Sequence, residues 1–220
     1  MEGLSPGLEG RCTSRLLRRV RLSESAFEIE IERPEGFLFT PGQHVRFFTG
    51  GAGRDYSMTS GPADAALAFC VRRAGGEVSS ALEDAPLGST LSFSGPRGLF
   101  GLAASPRPIV WAATGVGIAP FVSMVRAGTG GFTLLHGVRQ AGDLHYRDPL
   151  ESAASRYVPC LSGGDAPGCF RGRVTEWAAG RLPRGEHDFY LCGSRSMIRD
   201  FLLLVDERHP GSRVYTEIFF

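Results

Sequence analysis

No stretch of this 220-residue chain stays apolar for the ~20 residues that a membrane-spanning helix needs. The opening MEGLSPGLEG has no basic segment leading into an apolar core, so no secretory leader is expected and the segment reads as a loose tail. No two of the five cysteines, Cys12, Cys70, Cys160, Cys169 and Cys192, stand in a CxxC spacing. That pattern argues against a disulfide framework and a structural zinc site. It also argues against a cysteine-ligated iron–sulfur cluster, which needs four closely spaced thiolates. No metal centre is expected, and a reducing cytoplasm fits best. The five histidines, His44, His136, His145, His187 and His209, lie far apart without ligand spacing, and each reads as structural or surface. Charge is nearly balanced at +1, from 24 basic and 23 acidic residues, so neither nucleic acid nor an anionic membrane is an expected partner. One local basic cluster, Arg15, Arg18, Arg19 and Arg21, reads as the solvated face of a strand. No internal repeat recurs at a fixed period.

What is present falls into two rhythms. Over 11–100 the chain reads as short strands. Phe27, Ile29 and Ile31 alternate with Glu28, Glu30 and Glu32, a half-buried strand with one wet face. Further strands are expected at 44–49, 54–59, 66–73 and 89–94, with a short helix at 78–84. Pro34-Glu35-Gly36, Pro41-Gly42, Gly50-Gly51 and Gly75-Gly76 supply the turns. Many short strands between Gly/Pro turns predict an antiparallel barrel or sandwich. After Pro106 the pattern changes. PIVWAAT (108–114) is a continuous apolar run, as in a strand buried on both faces. Strands at 132–138, 156–162, 187–193 and 213–220 alternate with helices at 118–127, 143–154, 173–180 and about 195–207. That alternation predicts a parallel five-stranded sheet with helices on both faces. The division is expected in AASPRP, giving domains 1–104 and 105–220.

Three stretches carry candidate chemistry. RDYSMTS (54–60) crowds a cation, an aromatic ring and several hydroxyls into a strand that should alternate apolar with polar. Arg54 can neutralise a phosphate, Tyr56 offers a flat ring to a planar heterocycle, and Ser57 and Thr59 can bond ring heteroatoms; a polar edge strand is the ordinary alternative. GGEVSS (75–80) ends a strand and opens a helix, so it is either a phosphate cradle or a plain turn with a serine cap. TGVGIAPF (114–121) follows a strand and opens a helix. Its glycines permit a tight turn and a close approach to a pyrophosphate. Ala119-Pro120 stand where a dinucleotide fingerprint has its third glycine.

Taken in order, RDYSMTS, GGEVSS, TGVGIAPF, LCGSRSM and the closing TEIFF resemble the ferredoxin–NADP reductase superfamily over about 11–220. The resemblance implies a two-domain fold, with an N-terminal antiparallel Greek-key β-barrel that binds FAD and a C-terminal Rossmann-like α/β domain that binds NAD(P)H. It implies that Arg54 contacts the FAD pyrophosphate, Tyr56 packs on the isoalloxazine and Ser57 bonds near N5. Thr59 completes the R-x-Y-S-x-[TS] pattern. Cys70, Val71 and Arg72 would lie beside the ribityl or pyrophosphate region, with Gly76, Val78 and Ser79 forming the phosphate turn. In the second domain Thr114, Gly115, Gly117 and Pro120 match the nicotinamide-nucleotide loop. Cys192 and Gly193, followed by Met197, match the motif against the nicotinamide. Glu217 and Phe219 match the family's terminal Glu-x-aromatic, with Phe220 one residue beyond; an aromatic there covers the flavin face.

The implied activity is an FAD-dependent NAD(P)H oxidoreductase. Ser57, Cys192 and Glu217 are the expected catalytic residues, and the hydride passes to flavin N5. Electrons then go to a separate acceptor protein, a ferredoxin-like iron–sulfur protein or an oxygenase component. Members that use NADPH often place Ser-Arg after the third strand of the second domain. Here Leu161-Ser162-Gly163-Gly164 has no arginine, which leans toward NADH, although Arg139, Arg171 and Arg173 stand nearby. Three alternatives stay open: a flavin reductase that releases its flavin, an electron-transfer subunit of a larger complex, and a non-catalytic NAD(P)H-sensing module.

Overall fold

The computed structural model describes residues 10–218, so the expected flavin-covering pair Phe219 and Phe220 lies outside the described residues. Strands β1 (Cys12–Arg21), β2 (Ala26–Glu32), β3 (His44–Thr49), β4 (Ala52–Ser57), β5 (Ala66–Arg72) and β6 (Thr90–Arg97) form one antiparallel sheet. Helix α1 (Glu77–Asp84) crosses between β5 and β6. The spatial order is β4-β3-β6-β1-β2-β5. The two edge strands are brought together by an antiparallel bridge between Met58 and Phe69, which curls the sheet into a barrel. Phe27, Ile29 and Ile31 point inward with Phe47, Phe69 and Phe93. Phe47 meets Phe69 edge-on at 5.0 Å. The expected wet face of β2 holds at Glu30 and Glu32, which pair with Arg18 and Arg15 in solvent. It fails at Glu28, which is 8% exposed because the second half of the chain covers it.

The second sheet is parallel throughout. It contains β7 (Ile109–Thr114), β8 (Thr133–Val138), β9 (Arg156–Leu161), β10 (Phe170–Arg171), β11 (Asp188–Gly193) and β12 (Arg213–Ile218) in the order β10-β9-β8-β7-β11-β12. The sequence predicts five strands; the sixth, β10, is a two-residue edge too short to leave a periodic signal. Helices α2 (Ala119–Arg126) and α3 (Arg147–Ala153) cover one face, and α4 (Val174–Arg181) and α5 (Arg195–Arg208) the other. Alternate residues of β7 serve both faces. Val110 and Ala112 pack with Trp177 and Phe201, while Trp111 and Ala113 pack with Phe121 and Leu150. This is why PIVWAAT shows no polar alternation.

The expected helix over 143–154 is broken. A 3-10 turn ends at Asp143 and α3 starts only at Arg147. Between them Tyr146 sits at φ 57, the one non-glycine residue with positive φ among the described residues. Such a conformation costs about 1–2 kcal/mol and needs a compensating contact. The phenol supplies one, since Tyr146 Oη donates to Glu28 Oε2 at 2.6 Å across the seam between the two sheets. Asp143 Oδ1 accepts from Ser23 Oγ at 2.9 Å and Ser25 Oγ at 2.6 Å. Helix α2 completes the seam. Ala119 packs with Ala26 and Cys70, Ser123 Oγ donates to the Ser60 carbonyl, and Arg126 Nη1 donates to that of Thr59.

Candidate functional site

The C-terminal ends of the parallel strands face β4 and β5 across a cleft of about 630 Å³, within the ~300–1,000 Å³ usual for ligand pockets. In open α/β sheets this is where ligands bind. Arg54, Tyr56, Ser57, Cys70 and Arg72 line one side. Thr114, Gly115, Gly117, Gly193 and Met197 line the other. Residues from 42 (Arg72 to Thr114) to 143 (Arg54 to Met197) positions apart in sequence therefore share one wall-to-wall space. Thr59, Val71, Gly76, Val78, Ser79, Pro120, Cys192 and Glu217 are not on its wall.

Arg54 projects toward the start of α1. A Cβ added at Gly76 would lie 3.8 Å from Arg54 Nη1. Gly76 caps α1 with no side-chain bond to the free amides. Ser79 Oγ is turned back onto the Gly76 carbonyl at 2.9 Å. A guanidinium beside uncapped helix amides makes an anion cradle. Val78 and Val71 belong to the barrel core behind it.

Tyr56 packs edge-on to Phe47 at 5.9 Å, and its phenol is pushed up to about 12 by burial, opposed by Arg54. Its hydroxyl is buried with no partner among the described residues, as is the hydroxyl of Thr59. Buried polar atoms of this kind are normally satisfied. Thr59 does not face the cleft as expected; its backbone holds Ala68 and Arg126 at the seam.

Glycine identities in the second half follow from packing. Gly117 lies so close to the Cys192–Gly193 peptide that a Cβ would sit 2.5 Å from the Cys192 carbonyl oxygen. Gly193 is at φ 142 with Thr114 Oγ1 against it, and that hydroxyl accepts from Ser194 N at 3.0 Å. The loop after β7 and the turn after β11 are thereby locked together. Gly115, at φ 55 with open space around it, provides the turn. Pro120 is buried in the first turn of α2.

Ser57, Cys192 and Glu217 do converge. Glu217 is opposite Cys192 in the β11–β12 register. Ser57 Oγ donates to Glu217 Oε2 at 2.9 Å. Burial, and secondarily the Glu217 charge, hold the Cys192 thiol well above its ordinary value, so it is a neutral thiol and not a thiolate. A fourth member is unexpected. His44 Nδ1 donates to Glu217 Oε1 at 3.2 Å, so His44 is part of the site and not a bland residue. On the cleft wall itself, Ser25, Asp143 and His145 at the seam are unforeseen, while Ser162 and the nearby Arg139 and Arg173 line the far end.

Two family models match in sequence order. An oxidoreductase FAD-binding domain covers residues 15–101 and an oxidoreductase NAD-binding domain covers 112–202. A ferredoxin–NADP reductase B from Sorangium cellulosum is 36% identical over 171 residues, 69% of this chain and 70% of the relative. The chain belongs to the ferredoxin–NADP reductase superfamily. The electron transfer component of a Pseudomonas putida toluate 1,2-dioxygenase is 35% identical over 195 residues, 81% of this chain but 58% of that relative. Several other curated relatives are likewise covered over little more than half their length. The fold matches that of a ferredoxin NADP+ reductase from Neisseria gonorrhoeae, with TM-score 0.82, 22% identity, and 96% and 99% of the two chains covered.

The residues present suit the family's cofactors. The anion cradle at Arg54 and Gly76, the partnerless Tyr56 hydroxyl and the flat Tyr56 ring fit a flavin dinucleotide. The glycine loop at 114–117 fits a second dinucleotide. Among the described residues no helix is long and apolar enough to cross a membrane.

Proposed function

We propose that this reductase-family chain is an FAD-dependent NAD(P)H oxidoreductase that feeds electrons to a separate acceptor protein. The observation carrying this reading is the shared cleft, where the R-x-Y-S residues face the Thr114–Gly117 turn and Gly193, with the Ser57–Glu217 pair beside them. FAD, when bound, takes two electrons together from a nicotinamide and releases them one at a time. The protein's residues position and shield. Arg54 and the amides of α1 hold the pyrophosphate, and Tyr56 packs on the ring. Ser57 presents its hydroxyl at the reacting edge, fixed there by Glu217. Gly115 and Gly117 admit the second dinucleotide. Neutral Cys192 and Gly193 form the shelf for the nicotinamide. Holding two reactants in contact supplies much of the rate. The division into an FAD domain, 1–104, and a nucleotide domain, 105–220, belongs to the same proposal, as do the roles of Phe219 and Phe220.

The names of the relatives, an oxygenase electron transfer component among them, favour an oxygenase or ferredoxin-like iron–sulfur protein as acceptor. The missing Ser-Arg after β9 favours NADH. Ser162, though, shares its wall with Arg139 and Arg173, either of which can take a 2′-phosphate. The five free cysteines suit a reducing cytoplasm. The test is the anaerobic visible spectrum of the purified protein before and after NADH and, separately, NADPH. A flavin band bleached by either supports the reading, and the more efficient nucleotide identifies the donor. A colourless protein that ignores added FAD overturns it.

A further inference from the structure

The proposed reaction leaves a proton behind. NAD(P)H gives up two electrons and one proton, and an acceptor that takes electrons alone leaves that proton in the site. The balance is NAD(P)H + 2 oxidised acceptors → NAD(P)+ + H+ + 2 reduced acceptors. The proton must reach water from a pocket in which Ser57 is 1% exposed.

We propose that His44 is the solvent end of a proton relay, Ser57–Glu217–His44, that discharges this proton; the inference rests on the oxidoreductase reading above. The three side chains form an unbroken hydrogen-bonded row, Ser57 Oγ to Glu217 Oε2 at 2.9 Å and His44 Nδ1 to Glu217 Oε1 at 3.2 Å. Exposure rises along the row. Ser57 is closed, the Glu217 side chain is 15% exposed and the His44 side chain 21%. Two local features hold His44 there. β6 carries an extra residue opposite the His44–Arg46 step, a bulge of the kind that re-aims a side chain. Gly98, at φ 101, leaves room for the ring, since a Cβ there would be 2.9 Å from His44 Nδ1.

In the relay, a proton taken by Ser57 Oγ is matched by the Ser57 proton passing to Glu217 Oε2. Protonated Glu217 turns its proton to Oε1 and passes it to the bare Nδ1 of His44 in its Nε2–H tautomer. The imidazolium so formed releases its Nε2 proton to water, leaving an Nδ1–H ring that donates to the restored carboxylate. No electrons move in these steps. Glu217 raises the affinity of His44 for a proton, while burial opposes it; Asp55 adds to the rise and Arg97 subtracts from it. The ring therefore takes up a proton more readily than an ordinary imidazole.

The test uses the FAD-loaded protein, reduced anaerobically with its preferred nucleotide and mixed with ferricyanide in weak buffer containing a pH-indicator dye. Flavin colour reports reoxidation and the dye reports proton release. Wild type is expected to release its proton in step with reoxidation. His44→Gln, which keeps a donor to Glu217 but cannot pass a proton, is expected to lag about tenfold or more, a general acid–base loss. Imidazole added to His44→Ala is expected to restore the pace. Proton release in step with reoxidation in His44→Gln overturns the proposal. So does equal slowing of reduction by NAD(P)H, which marks a purely structural role. A second readout needs no turnover. In the flavin-free protein, the His44 ring proton signal in NMR should titrate above 6.5, the ordinary histidine value, and fall back in Glu217→Gln. Titration unaffected by Glu217→Gln also overturns it. A protein that never bleaches with NAD(P)H refutes the oxidoreductase reading instead, and the two failures are thus distinct.

Discussion

Replacing Gly117 with alanine tests the packing that locks the two nucleotide turns. Gly117 has an ordinary backbone, so the substitution adds only volume. Its Cβ would lie 2.5 Å from the Cys192 carbonyl oxygen and 2.7 Å from Gly193 Cα, and ordinary contact starts at 3.4 Å. Both neighbours are backbone, so the loop after β7 and the turn after β11 must part by about 0.9 Å, the difference between 3.4 and 2.5 Å. Overpacking of this kind costs roughly 1–3 kcal/mol. At about 2–4 °C per kcal/mol for a chain of this length, a mid-range cost lowers Tm by roughly 4–8 °C. The shelf proposed for the nicotinamide moves by the same distance, and a ~1 Å misplacement of reactants costs up to about a hundredfold in rate. Thermal unfolding and stopped-flow flavin bleaching read the two effects. The control is Gly180→Ala in α4, where a Cβ meets nothing within 4 Å; it should gain about 0.5–1 kcal/mol. If Gly117→Ala unfolds and bleaches like wild type, the close approach is wrong.

Tyr146→Phe removes the donor from buried Glu28 and should cost about 1–3 kcal/mol in denaturant unfolding; Tyr146→Gly, which also relieves the positive φ, separates strain from the lost bond. Arg139→Ala and Arg173→Ala should lower kcat/KM for NADPH, if it is used at all, while sparing NADH; an equal loss with both nucleotides would refute a 2′-phosphate contact. His136 lies buried in β8, and burial pushes its pKa down to about 3. A depressed histidine takes its proton only on unfolding, so stability should fall as pH drops from 6.5 toward 3, and His136→Gln should flatten that fall in acid denaturation curves. Ser57→Ala should leave flavin bound, by absorbance after gel filtration, yet slow its bleaching by about tenfold to a hundredfold if the hydroxyl positions the reacting edge.

Strand rhythm was legible where one face meets one environment. β3 occupies 44–49 as expected, because HVRFFT alternates against a single barrel core. Both glycine turns were legible as well, since backbone crowding at Gly117 and Gly193 admits only glycine. Legibility failed where a contact joins distant parts of the chain. Glu28 read as solvent-facing because nothing near it announces Tyr146, 118 residues later. The broken helix at 143–146 has the same cause, as the chain gives up helical bonds to reach the barrel. His44 read as bland because its partner is 173 positions away. Single residues carry no periodicity, so such cross-links leave no local trace.

Helix α2 has a mechanical consequence for the whole molecule. It rests on the barrel near both of its ends, through Ala119 beside Ala26 and Cys70, and through Ser123 and Arg126 on the carbonyls of Ser60 and Thr59. A rod fastened at two points cannot swing end over end against its support. Rolling about its own long axis is opposed as well, by bonds that lie off that axis: Tyr146 to Glu28, Ser23 and Ser25 to Asp143, and Ser57 and His44 to Glu217. The two sheets are thereby fastened along a line and on either side of it, so the width of the cleft is fixed by the packing of the chain itself.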